Sequence, residues 1–236
     1  MIPKIIHYCW FGKNPKSKLI LKCIDSWKKY CPDWEIIEWN EDNFDVNQNE
    51  FCRQAYQNKK WAFVSDFARF DILYKYGGIY LDTDVEILRP LDCFLKNKLF
   101  AGHETDEWVA PGLILGSEDG HPVIEEVLRA YQNSSFLDEL GNEIHTTVGQ
   151  YFTNALLKNG VILTGKTQIV DGIAIYSKDF FCPLNDATGV ITKTENTHTI
   201  HWYSKTWINP GIRIRTKITR IFHRIFGKEC FLWLKR

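Results

Sequence analysis

Two carboxylates one residue apart, Asp82 and Asp84, follow directly on a short apolar run, Ile79-Tyr80-Leu81. Held that close, they repel one another unless something cationic sits between them. A hard divalent ion suits the position, because Mg2+ or Mn2+ accepts one or two carboxylates and fills its shell with phosphate oxygens and water. A second charged pair, Asp66 and Arg69, lies upstream at a spacing that puts both side chains on one face of a helix. Alone, each pattern is bland: Asp-x-Asp marks many surface turns, and an exposed ion pair contributes only ~0–1 kcal/mol. Their interest comes from the elements around them.

Residues 65–76 have helical spacing, with Val64, Phe67, Ala68, Leu73 and Tyr76 able to share a broad apolar face. Gly77-Gly78 stops that helix, since glycine tolerates the left-handed backbone of a helix end. Ile79-Tyr80-Leu81 is too short for a helix and reads as a buried strand. Asp82-Thr83-Asp84 then falls at the strand's C-terminal end, the crevice position where open α/β sheets bind ligands.

The string SDxxRxxxLxxxGGxYxDxD over residues 65–84 resembles the signature of the DXD-containing glycosyltransferases of the capsular-polysaccharide type, family 32, whose core the glucosylating domains of large clostridial toxins share. The opening Ile2-Pro3-Lys4-Ile5-Ile6-His7 with Trp10-Phe11-Gly12 is similar to that family's first strand. His201-Trp202, Ser204 and Trp207 are similar to its closing segment, with one residue more between Ser and Trp than is usual. The resemblance spans roughly residues 2–207. It departs at Ala110-Pro111, where the family often has a sugar-contacting Asn, and at Thr147-Val148-Gly149-Gln150, where it tends to read TGP.

The resemblance implies a single GT-A-type α/β domain, with a Rossmann-like, mostly parallel central sheet flanked by helices. It implies that Asp66, Arg69, Asp82 and Asp84 carry catalysis. Asp84 would hold Mn2+ or Mg2+, Asp82 would join it through a ribose or a water, and Asp66 and Arg69 would bind sugar hydroxyls. Trp10 is placed near a nucleotide base, Tyr80 with the substrate contacts, and Ser204 and Trp207 on a loop over the diphosphate. The implied reaction moves a hexose with retention from a UDP-sugar (Gal or Glc, otherwise GalNAc or GlcNAc) to a saccharide acceptor of bacterial surface polysaccharide, lipid-linked at the membrane. No enzymic nucleophile stands out. Two rivals come from other classes: a HAD-like phosphohydrolase using Asp82, and a non-catalytic sugar- or nucleotide-binding module.

The remaining chain fits one such domain. Its 236 residues, 44% hydrophobic and 25% charged, are ordinary for a soluble globular protein. Seven scattered Cys without a CxxC pair argue against a zinc site or a disulfide framework and for a reducing cytosol. Neither a signal peptide nor a spanning run is expected. Residues 1–10 read as a strand with His7 a core histidine, 17–30 as an amphipathic helix, and 34–39 as a second strand, a β-α-β opening. Residues 40–48 read as a solvated loop and 92–96 as a short helix. Further strands are expected at 99–102, 108–115, 161–163, 169–176 and 197–203, and helices at 121–131 and 146–158. Residues 103–107 read as an acidic exposed loop, and 179–183 and 185–188 as loops able to line an acceptor cleft. His198 and His201 point to opposite faces of their strand and are not expected to share a metal.

The tail differs in kind. Residues 213–236 hold eight Lys/Arg against Glu229 alone, which leaves about −7 on the rest of the chain. Ile214, Ile218, Ile221, Phe222, Ile225 and Phe226 fall at helical spacing, with Phe231-Leu232-Trp233-Leu234 beyond them. The chain therefore divides into a domain at 1–209 and a basic amphipathic tail at 210–236. The tail reads either as a docked terminal helix or as an interfacial anchor for an anionic membrane. A cytoplasmic protein peripheral to the inner membrane face is the expectation, and nucleic acid is disfavoured by the acidic surface.

Overall fold

The computed structural model describes residues 1–144, 147–206, 210–227 and 230. The opening alternation folds as β1 (Ile5–Cys9), α1 (Lys18–Tyr30) and β2 (Glu35–Trp39), with β1 and β2 parallel in the register Ile6↔Ile36. Ser17 caps α1, accepting from the Ile20 N–H, and the apolar stripe buries Ile20, Cys23, Ile24 and Trp27. Next come α2 (Glu50–Gln57) and α3 (Trp61–Tyr76), then β3 (Gly78–Tyr80) and β4 (Val85–Ile87). Residues 50–57 form α2 because Asn49 caps it and Phe51, Cys52 and Ala55 turn inward.

Gly77 and Gly78 have φ of 62° and 97°. A Cβ on Gly78 would lie 2.8 Å from His7 Nε2 and 2.9 Å from the Ile5 carbonyl, so the helix-to-strand turn requires glycine there. His7 is a core residue as expected: Trp39 Nε1 donates to its Nδ1 at 3.1 Å, leaving Nε2 to donate to the Gly77 carbonyl at 2.9 Å.

The second half supplies β5 (Leu99–Thr105), β6 (Trp108–Val109), β7 (Leu115–Ser117), α4 (Pro122–Gln132), α5 (Val148–Lys158), β8 (Gln168–Val170), β9 (Ile173–Tyr176), α6 (Lys178–Phe181), β10 (Thr199–His201) and α7 (Pro210–Phe226). The main sheet runs β2-β1-β3-β7-β5-β9-β8, with β6 on β5, and β10 pairs antiparallel with β4 in a separate ribbon. Strands β2, β1, β3, β5 and β9 point one way, and β6, β7 and β8 the other. The expected mostly parallel sheet with helices on both faces is therefore what forms. One core joins α2–α5 to one face of the sheet, and a second joins α1, β4 and α6 to the other.

Several local expectations give way to tertiary context. Residues 103–105 extend β5 as a hairpin with β6, and His103 is fully buried rather than on an exposed loop. The single strand expected at 108–115 is broken into β6 and β7 at Pro111-Gly112, where proline has no N–H for a ladder. The run 169–176 is two strands, because Asp171 and Gly172 turn the chain with φ of 50° and 90°. Residues 161–163 form no strand.

Candidate active site

The expected ion pair forms on α3: Arg69 Nη2 donates to Asp66 Oδ1 at 2.8 Å. Because β3 carries the chain back past this helix, the same Nη2 lies 3.3 Å from Asp82 Oδ1. Arg69 Nε donates to the Ser65 carbonyl, and the guanidinium rests 4.8 Å from the centroid of the Tyr80 ring. Arg69 is buried at 3% exposure, so this is a desolvated charge with two carboxylates on one nitrogen. Burial pushes the Asp66 carboxyl up to about 6, helped by the charge of Asp82 and opposed by Arg69.

These groups open onto a cavity of about 850 Å³ at the C-terminal ends of β1 and β3, lined also by Trp10, Asp84, Trp108, Gly112 and Ser204. Trp10 forms part of the wall, its Nε1 donating to the Asn14 carbonyl and its ring lying beneath Lys16. Tyr80, buried, serves as the shelf under Arg69. Gly112 is a packing requirement: a Cβ there would lie 2.3 Å from Asp82 Oδ2 and 3.2 Å from Arg69 Nη1. Residues 179–188, expected at an acceptor cleft, do not line this cavity; α6 and the following turn pack elsewhere.

Asp84 has partners that its sequence neighbourhood does not suggest. The β4–β10 ribbon brings His201 Nε2 to 3.0 Å from Asp84 Oδ1, and the Ser204 N–H donates to Oδ2 at 2.7 Å. Burial acts to raise Asp84, but His201 and Ser204 outweigh it and hold the carboxyl well below the usual range. Burial likewise acts to lower His201, and Asp84 overrides it, holding the imidazole up at about 9. His201 Nδ1 is buried without a hydrogen-bond partner among the described residues. His198 faces away, toward Phe94 and Cys93, so the two histidines part as expected. Trp207 lies outside the described residues.

Among the described residues no cluster of three His, Cys, Asp or Glu side chains is arranged to hold a metal. Asp82 and Asp84 nevertheless both line the cavity, and carboxylate oxygens are the donors that suit a hard divalent ion completing its shell with phosphate oxygens and water.

Residues 17–104 match the family described as "Glycosyltransferase sugar-binding region containing DXD motif". That match bears out the resemblance read from residues 65–84, and the α/β fold agrees with it. The chain is 30% identical over 142 residues to "Inositol phosphoceramide mannosyltransferase 3" of Schizosaccharomyces pombe, which is 57% of this chain and 38% of that protein. It is 28% identical over 123 residues to "Alpha-1,4-N-acetylglucosaminyltransferase" of Homo sapiens, which is 50% of this chain and 32% of that one. The chain thus spans well under half the length of these relatives. Its fold is shared with the solved "PaToxG Glycosyltransferase" at a TM-score of 0.51 and 21% identity, covering 66% of this chain and 69% of that one. A glycosyltransferase involved in glycosylating the major capsid of PBCV-1 superimposes with a TM-score of 0.50 at 11% identity, over 92% of this chain and all of that one. The HAD-like alternative falls with this fold, and Asp82 is held by a guanidinium rather than left free to attack.

Proposed function

We propose that the chain is a metal-dependent retaining hexosyltransferase that takes a sugar nucleotide as donor and a saccharide as acceptor. The observation that carries this is the Arg69 guanidinium, gripped by Asp66 and Asp82 at the wall of a cavity that also receives Asp84. Transfer breaks the bond between the anomeric carbon and a phosphate oxygen, forms a bond from that carbon to an acceptor oxygen, and releases a nucleoside diphosphate and the acceptor's proton. Arg69 and Asp66 present fixed donors and acceptors to the hexose hydroxyls, so the sugar is oriented before the bond breaks. Asp82 and Asp84 would hold a divalent ion, which supplies positive charge for the departing diphosphate. The segment that carries Ser204 borders the cavity and limits access of water to the donor.

The donor is read as UDP-Gal or UDP-Glc, with UDP-GalNAc and UDP-GlcNAc next, and likeness to an inositol phosphoceramide mannosyltransferase adds a mannose donor. The acceptor is read as a lipid-linked oligosaccharide of bacterial surface polysaccharide, met at the inner face of the membrane. In support, α7 exposes Ile218, Ile221, Ile225 and Phe226 on one stripe, with arginines on the same helix. No helix among the described residues is long and apolar enough to cross a membrane. Peripheral binding suits such a helix, since each base near an anionic surface contributes ~1 kcal/mol.

The test is a screen for nucleoside diphosphate release in Mn2+ with UDP-Gal, UDP-Glc, UDP-GalNAc, UDP-GlcNAc and GDP-mannose, each with simple saccharide acceptors. One donor should be turned over in an Arg69-dependent way. Turnover of none of them overturns the reading.

A further inference from the structure

Ser204, whose N–H reaches Asp84, stands between two non-glycine residues in the left-handed region, Tyr203 at φ 48° and Lys205 at φ 50°. L-residues with a Cβ adopt that conformation only where the surroundings hold them in it. Both side chains are tied down. Tyr203 Oη donates to Glu104 Oε1 at 2.9 Å and lies 2.9 Å from Cys182 Sγ. Lys205 Nζ donates to Asp186 Oδ2 at 2.6 Å. Asp186 is itself fixed from the other side: its Oδ1 accepts from Arg220 Nη2 on α7, and its carbonyl accepts from Arg220 Nε at 2.8 Å. Neither Asp186 nor Arg220 lines the cavity. Asp186 thus joins the terminal helix to the backbone segment whose Ser204 N–H reaches Asp84.

We propose that Asp186 is a positioning residue: through Lys205 it holds residues 203–205 in the left-handed turn that keeps the Ser204 N–H on Asp84. The functional part of this rests on the proposed role of Asp84, whereas the structural part does not. With the carboxylate gone, Lys205 Nζ loses this partner, and its backbone relaxes toward the common β or right-handed regions. Ser204 N–H then swings off Asp84, and Asp84 loses the neutral donor that orients it.

The experiment is amide hydrogen exchange by NMR on the full 15N-labelled chain, wild type against Asp186→Asn, Lys205→Met and the double variant. The Ser204 amide should exchange about ten-fold faster in either single variant, as expected for loss of a charge-assisted contact, while amides in α3 keep their wild-type rates. The double variant should be no faster than the singles, since both remove one contact. Donor turnover measured alongside should fall by a similar factor in kcat/KM. Should Asp186→Asn speed exchange throughout the fold, Lys205→Met decides the matter. Wild-type exchange at Ser204 in Lys205→Met, or additive effects in the double variant, overturns the proposal. A wild-type chain that turns over no sugar nucleotide fails the proposed function and leaves the exchange result standing.

Discussion

Gly112→Ala is a clean probe of the site, because a single methyl is aimed at one carboxylate. Gly112 is not among the glycines with positive φ, so alanine meets no backbone strain. Its Cβ would lie 2.3 Å from Asp82 Oδ2, against an ordinary contact that begins at 3.4 Å. The carboxylate must withdraw by roughly 1 Å, and it is held to Arg69 at only 3.3 Å. A contact of that length does not survive such a shift. Drawing this ion pair apart by about 1 Å costs ~1 kcal/mol at an effective dielectric of ~20, or about 5-fold in kcat/KM. Folding is touched less, because alanine reduces unfolded-chain entropy by ~0.4–1 kcal/mol and offsets part of the clash. The assay is steady-state donor turnover with thermal unfolding of the same preparations; Tm should stay within about 3 °C of wild type. A kcat/KM within about two-fold of wild type would show that the place of Asp82 beside Arg69 is immaterial, and the clamp would have to be abandoned.

Asp84→Asn should abolish turnover and also lower Tm by about 4–8 °C, because it strips a buried charge partner from His201; unchanged Tm by calorimetry contradicts the ion pair. Arg69→Lys keeps charge but loses the planar fork, so kcat should drop at least about 100-fold while nucleoside diphosphate binding by calorimetry is largely retained. His7 is held down at about 4 by burial, against an unfolded value near 6.5. Its contribution to stability is complete above about 6.5 and falls by up to about 3 kcal/mol as pH drops toward 4, and an imidazole NMR titration with a midpoint near 6.5 refutes this. Ile221→Glu with Ile225→Glu should abolish sedimentation with anionic vesicles, and equal binding by wild type and variant removes the membrane reading.

The sequence by itself determined what is local. Ser17 starting α1, Gly77-Gly78 ending α3, Asp66 and Arg69 meeting at i,i+3, and the two aspartates at the mouth of β3 all follow from spacing and backbone preference within a few residues. The β-α-β opening pointed to the fold class, and the motif over residues 65–84 to the family model that residues 17–104 match. What spacing does not carry is contact between distant segments. His201 and Ser204 reach Asp84 across 117 and 120 residues, because β10 happens to pair with β4. Gly112, read inside a strand at 108–115, proves to be the space that Asp82 occupies. Asp186 looks like one acid in a polar turn, yet it joins α7 to Lys205. Periodicity encodes which face of an element is apolar, but not which element will lie against it. That choice is made by the packing of the two cores on the sheet, and it is there that the surroundings of Asp84 were decided.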